Sequence, residues 1–357
     1  MPFKGIDTPA LLLDLGAVER NIERMSRVLR EGGTALRPHF KTPKCAEVAR
    51  MQLDAGAIGI TCAKIGEAET LAAAGVRTSV LIANQIVGDQ KVDRLVELAG
   101  SFPELLVAVD HVEQVEALDD AVSGTRARIG ALVEIDVGMR RCGTRTPEET
   151  VELAHRVSKS RLAYRGVMGY EGHAVLVPER EKREALARES HAQLERHRHA
   201  LADAGVAPEI VSAGGTGTHD LCAEDPGITE VQAGSYVFMD GRYREVRPEF
   251  ECALTLLTTV IHVRGRVAIT DCGSKGLSHE FGMPEGFDLP LRCAFLSEEH
   301  GHVTVDEGAS VELAPGDRLR LLPSHGDTTI NLHDEYIVLV EGKVSATWPI
   351  AARGKFR

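Results

Sequence analysis

The chain has 357 residues, 43% of them hydrophobic, which is long enough to bury more than one core, so two domains are expected. With 53 acidic residues against 41 basic ones the formal charge is −12, and no run of Lys or Arg exceeds a pair, which repels a phosphate backbone and excludes nucleic-acid binding. The seven cysteines are scattered, odd in number and free of CxxC spacing, which excludes a disulfide framework or a zinc knuckle and points to a reducing cytosol.

The chain opens with MPFKGIDTPALLLDL. Its apolar run is about five residues, shorter than the ~7–15 of a signal peptide or the ~20 of a membrane span, and nothing later approaches a span. The reading is therefore a cytoplasmic protein that does not bind membranes. From Thr8 to about Gly241 short apolar runs alternate with longer amphipathic stretches, the rhythm of βα units. Strands are predicted at 10–15, 35–40, 58–62, 79–83, 105–109, 131–135, 166–168 and 209–212. Helices are predicted at 18–31, 45–54, 67–74, 91–98, 112–121, 148–158 and 180–204. About eight units in about 230 residues fit an α/β fold of the (β/α)8 TIM barrel type. An open doubly wound sheet is the runner-up, and the absence of a GxGxxG turn in the first unit removes a dinucleotide site. After Tyr243 the texture changes to short β-branched runs between Gly, Pro and Asp, with strands predicted at 255–263, 266–270, 302–305, 318–323, 335–342 and 343–350. The expected division is a barrel over 8–243 and an all-β C-terminal domain over 244–357, joined by residues 1–7.

Four motifs on this frame carry chemistry. RPHFKTPK (37–44) stands between a strand and a helix, at what would be the C-terminal rim of a barrel. A lysine in a desolvated mouth supplies the neutral amine that condenses with an aldehyde; two lysines three apart in a loop are also compatible with plain surface charge. VEIDVGMRRCG (133–143) runs from a strand into a loop carrying Arg141, suited either to an oxyanion or to an ion pair with Glu134 or Asp136. SAGGTGT (212–218), followed by QAGSYVFM (232–239), offers glycines whose backbone N–H groups can converge on a phosphate, or simply reverse the chain. In PSHGDTTINLHD (323–334), His325 and Asp327 stand two apart, so on an extended strand both face one side and can share a divalent ion; a turn with a capping Asp is the plainer reading.

Taken in order, TPALLLDL, RPHFKTPK, VEIDVGMRRCG, SAGGTGT, QAGSYVFMD, EEHG (298–301) and PSHGDTTINLHD resemble the fold-type III pyridoxal-phosphate family that includes D-threonine aldolase, 3-hydroxy-D-aspartate aldolase and metal-dependent D-serine dehydratase. The resemblance covers nearly the whole chain. It implies an alanine-racemase-like barrel plus the β domain, with pyridoxal 5′-phosphate on Lys41, Arg141 at the cofactor's ring oxygen and Tyr170 lining the ring. Thr216, Gly217, Gly234 and Ser235 match the phosphate cradle, and His325 and Asp327 match the ligands of a divalent metal. Dehydratases of the family resemble His-x-Cys at the metal pair and aldolases His-x-Asp. Asp327 therefore favours the aldolase and a hard cation such as Mn2+ or Mg2+. One departure stands out: aldolases place a His several residues beyond the Tyr-x-Gly step, whereas here Tyr170-Glu-Gly-His173 runs straight into an apolar stretch, so His173 would act from a shifted position.

The implied reaction is retro-aldol cleavage of a small β-hydroxy-D-amino acid to glycine and an aldehyde, with Lys41 or His173 as proton carrier. The alternative is a dehydratase giving ammonia and a 2-oxo acid, followed by an amino-acid racemase and a non-catalytic carrier of the cofactor. The resemblance also implies a homodimer whose β domain closes the partner's barrel.

Overall fold

The computed structural model describes Phe3 and residues 5–357, and the chain forms two compact units, each discontinuous in sequence. One holds the residues up to Arg24, then Thr42–Cys45 and Ser235–Gly354; the other holds Met25–Lys41, Ala46–Gly234 and Lys355–Arg357. The linear reading, with one cut after residue 243, differs because the first strand, β1 (Ala10–Asp14), is not a barrel strand. It pairs antiparallel with a strand beginning at Leu254 and parallel with one beginning at Glu335. Leu11, Leu12 and Leu13 are all buried, and a strand covered on both faces has no alternation to say which sheet will cover it.

The larger unit is an eight-stranded parallel sheet built from β2 (Ala35–Leu36), β3 (Ile60–Cys62), β4 (Ser79–Gln85), β5 (Glu104–Val109), β6 (Ile129–Glu134), β7 (Ala163–Gly169), β8 (Ile210–Ala213) and β9 (Glu230–Val231). Its order, β2-β9-β8-β7-β6-β5-β4-β3, leaves β2 and β3 at the two ends. A parallel bridge between His39 and Thr61 joins those ends, with the Phe40 N–H donating to the Thr61 carbonyl at 2.7 Å, which closes the ring. The count of eight is met by β9, which leads into the second glycine-rich segment and escaped the sequence reading because only two residues pair. The connecting helices are α1 (Leu15–Gly32), α2 (Ala46–Asp54), α3 (Ile65–Ala73), α4 (Asp89–Leu98), α5 (Val112–Val122), α6 (Pro147–Ser158), α7 (Arg180–Asp203) and the short α8 (His219–Ala223). The start of α6 shows local sequence at work: Pro147 is pre-set for the first turn, and Thr146 and Glu149 form a capping box.

Leu81, Leu106, Ala108, Leu132, Met168 and Ile210 come from five neighbouring strands and form a buried cluster within the ring. A polar network accompanies them. Arg37, 2% exposed, donates twice to Glu230 through Nε and once through Nη2, at 2.9–3.0 Å, and Ser212 donates to the same carboxylate at 2.7 Å. Removing one partner of a buried pair strands the other charge at a cost of about 3–5 kcal/mol. Glu230→Gln is therefore expected to lower urea stability by that order, while Arg37→Met combined with Glu230→Met restores part of it.

The other unit is a nine-stranded sheet of β1 with β10 (Leu254–Arg264), β11 (Val267–Thr270), β12 (Glu285–Gly286), β13 (Leu291–Leu296), β14 (Gly301–Val305), β15 (Arg318–Leu322), β16 (Glu335–Val340) and β17 (Lys343–Pro349). The order is β11-β14-β13-β12-β15-β10-β1-β16-β17, and β11 also pairs with β10, so six strands curl into a small barrel while β1, β16 and β17 extend from it. Two short helices, α9 (Gly241–Val246) and α10 (Gly326–Ile330), belong to this unit. Among the described residues, no helix is long and apolar enough to cross a membrane.

Candidate active site

The larger unit presents its chemistry where the parallel strands end. Four residues past the end of β2, after Pro38 and the His39 bridge, comes Phe40, and then Lys41, half-buried, its backbone N–H directed at His39 Nδ1 at 3.4 Å. The second lysine of the motif has a different setting. Lys44 is 7% exposed, belongs to the β unit, and sends Nζ to the Ala352 carbonyl at 3.5 Å while its own carbonyl accepts from the Ala352 N–H.

Arg141 and Tyr170 come together after β6 and β7. The guanidinium lies 5.9 Å from the Tyr170 ring centre and 3.5 Å from Glu134, so the ion pair with Glu134 that the sequence offered as one reading is formed. Burial pushes the Glu134 carboxyl above the ordinary carboxylate range, with hydrogen bonds from Gln85 and the charge of Arg141 working the other way. The glycine-rich turn after β8 meets the same tyrosine: a Cβ on Gly215 would stand 3.2 Å from the Tyr170 ring. At Gly217 a Cβ would fall 1.8 Å from the Val175 carbonyl oxygen, so only glycine lets the turn take this path. Gly217→Ala is therefore expected to displace the turn. A shift of about 1 Å at a binding group costs on the order of a hundredfold in rate. Turnover and cofactor retention after gel filtration, read with circular dichroism to confirm folding, check this.

Thr216 is buried beside Gly217, Gly234 is buried after β9, and Ser235 opens a 3-10 turn over Ser235–Val237 with 8% exposure. His173 follows Tyr170 by three residues and packs on Gly138, whose Cβ would be 3.0 Å from its ring. It borders a cavity of about 390 Å³ shared with Asp136, Arg140, Arg145 and Glu189, and its buried Nδ1 finds no hydrogen-bond partner among the described residues.

In the β unit the expected extended strand through His325 and Asp327 is absent. His325 is the N-cap of α10 and Asp327 sits in its first turn, where a carboxylate suits the helix dipole. The turn is drawn helical by the Thr329 hydroxyl, which donates to the His325 carbonyl at 2.9 Å, and by Asp240, which accepts the Gly326 N–H at 2.8 Å. His325 Nδ1 is engaged by Glu280, and its ring stacks on Phe281 with centroids 4.3 Å apart, leaving Nε2 as the remaining ligand atom. Asp327 Oδ1 is buried without a partner among the described residues. The nearby Asp240 carboxyl is pushed up to about 6, chiefly by burial, with hydrogen bonds and His325 opposing and the charge of Asp327 adding to it. An orphaned carboxylate oxygen, an imidazole oriented by a glutamate and a neighbouring acid form a donor set that fits a divalent cation. In the larger unit, the half-buried Lys41, the Arg141–Tyr170 pair and the close-packed glycine turn fit a phosphorylated aromatic aldehyde.

The sequence reading missed two groups. Glu280, 45 positions from His325, has no local signal of its role. Glu171, His191 and Cys222, all buried, offer ligand atoms within 4.8 Å of one another, yet they stand 20 or more positions apart in sequence, in two βα units. Only Glu171 carried a hint, an acid between Tyr170 and Gly172 next to a buried strand.

Comparison with known proteins gives a consistent picture. Residues 13–241 match the family "alanine racemase, N-terminal domain", and residues 253–339 match a serine dehydratase domain family. The chain is 36% identical to the 3-hydroxy-D-aspartate aldolase of Paracoccus denitrificans (strain Pd 1222), over 98% of this chain and 93% of that one. It is 37% identical to the D-threonine aldolase of an Arthrobacter species, over 99% and 94%. The crystal structure of D-threonine aldolase from Filomicrobium marinum superposes with a TM-score of 0.96 at 35% identity, covering 100% of this chain and 98% of that one.

Proposed function

The chain belongs to the alanine racemase N-terminal domain family, and from that premise we propose that it is an aldolase-type lyase cleaving small β-hydroxy-D-amino acids to glycine and an aldehyde. The observation that carries this reading is the carboxylate at position 327, whose unpartnered buried oxygen beside the Glu280-oriented His325 suits a hard cation, Mn2+ or Mg2+. When bound, pyridoxal 5′-phosphate supplies an electron sink at Cα and the cation acidifies a hydroxyl. Lys41 is the amine that holds the cofactor's aldehyde and later returns to it. Arg141 and Tyr170, in mutual contact, orient its ring. Thr216, Gly217, Gly234 and Ser235 receive the phosphate, and His325 with Asp327 hold the cation. Lys41 or His173 moves the proton that completes glycine, the latter through its free Nδ1.

A cytosolic homodimer completes the reading. Support for association comes from Phe281, Met283, Phe287 and Leu289, which expose 36–44% of their surface along one short stretch of the β unit.

Products test the proposal. The holoenzyme with Mn2+ is expected to convert D-threonine to glycine and acetaldehyde. Ammonia with a 2-oxo acid from D-threonine or D-serine would instead make it a dehydratase, and turnover indifferent to EDTA would favour a racemase.

A further inference from the structure

Glu171, His191 and Cys222 lie beneath the glycine-rich turn, none of them given a role above, and their exposures are 0%, 6% and 0%. Glu171 follows β7, His191 projects from α7 and Cys222 from α8. The three ligand atoms make a triangle: Cys222 Sγ is 3.5 Å from His191 Nε2 and 3.7 Å from Glu171 Oε1, and His191 Nε2 is 3.8 Å from the same oxygen. A tetrahedral zinc ion with bonds of about 2.0–2.3 Å separates its donors by roughly 3.3–3.7 Å. The triangle is therefore close to one face of such a site.

Two further features belong to a metal centre rather than to an ordinary buried polar cluster. His191 Nδ1 stands 3.4 Å from Asp225 Oδ2, so a carboxylate aims Nε2 at the triangle, as outer-shell acids do for ligating histidines. A surface cleft of about 390 Å³, lined by Arg188, His191, Glu195, Leu221, Glu224 and Asp225, reaches the cluster at His191 and brings a mostly acidic surface to its outer edge.

We propose that Glu171, His191 and Cys222 bind a thiophilic divalent cation, zinc in kind, as a second metal site chemically distinct from the His325–Asp327 pair. Charge favours it. A carboxylate, a thiolate and a neutral imidazole balance a dication, leaving a neutral buried site. Without the ion, burial and the adjacent Glu171 raise the Cys222 thiol well above its ordinary range, so the thiol keeps its proton; the cation replaces that proton. Glu171 faces two ways: its Oε2 accepts the Gly214 N–H at 3.2 Å and its Oε1 the Thr218 hydroxyl at 2.6 Å. An ion on the same carboxylate therefore fixes both ends of the turn that carries Thr216 and Gly217. The thiolate selects zinc or cobalt, whereas the oxygen-rich pair in the β unit favours manganese or magnesium, so one chain would sort two metals by ligand softness.

Cobalt is the probe. The full-length His325→Ala protein, stripped with EDTA and dialysed against Co2+, is expected to retain stoichiometric cobalt and to show a thiolate-to-cobalt charge-transfer absorption in the near ultraviolet. Adding Cys222→Ser should abolish the absorption, and adding His191→Gln should weaken cobalt retention at least tenfold, with circular dichroism reporting the fold of each. A folded His325→Ala protein without that absorption overturns the proposal, whether or not the Cys222 variant folds. Persistence of the absorption in Cys222→Ser also overturns it, because another cysteine would then be the ligand.

Discussion

Lys41→Ala is expected to leave a folded protein that no longer develops the visible absorbance of a lysine-bound aldehyde when mixed with pyridoxal 5′-phosphate. Its turnover of D-threonine should fall on the order of ten-thousandfold, at least the effect of losing a general acid–base group. The prediction is specific because the two lysines of the motif are placed so differently. Lys44 is buried against the Ala352 carbonyl in the β unit, whereas Lys41 is half-buried where β2 ends. Lys44→Met should therefore mainly lower stability and leave the spectrum intact. Loss of the absorbance in Lys44→Met with its retention in Lys41→Ala would transfer the role and dismantle the proposed site.

His325→Ala is expected to abolish the Mn2+ requirement together with the activity that Mn2+ supports. Lewis-acid assistance contributes several kcal/mol, so turnover should drop roughly a thousandfold. Glu280→Gln gives the graded control: it keeps the imidazole but weakens the group that orients Nδ1, and such outer-shell changes typically reduce metal affinity about 10–100-fold. Titrating Mn2+ against turnover separates the two variants. Glu280→Gln should recover its rate at higher Mn2+, whereas His325→Ala should not. Equal recovery in both would mean that Asp327 alone suffices.

Local pattern carried most of the fold. Helices at 46–54, 112–122, 147–158 and 180–203 fall within a few residues of their predicted bounds; those at 112–122 and 147–158 carry capping boxes in their own sequence. Strand partnership was far less legible. The buried run Leu11–Leu13 reads the same whether it joins a barrel or a β domain, and its partners lie some hundreds of residues away. The two-residue strands β9 and β12 are too short to show any period, and β13 was hidden in a stretch rich in Pro and Gly.

For the site, ordered motifs brought Lys41, Arg141, Tyr170 and Thr216 forward, since each sits in the loop that follows a strand, where a barrel gathers its chemistry. Of the two local shapes the sequence offered at His325, the period-two strand does not form and the turn is the nearer one: Gly326 and the Thr329 hydroxyl start a helix with Asp327 in its first turn. Glu280, Asp240 and the Glu171–His191–Cys222 triangle depend on long-range packing and leave no trace in spacing.

The position of β1 has a consequence for how the molecule is made. It lies between β10 and β16, so β1 must wait, unpaired, until the ribosome has passed Leu254 for its first partner and Glu335 for its second. Trimming the N-terminus through Asp14 would sever the β16–β17 hairpin from its only lateral neighbour in the sheet as described.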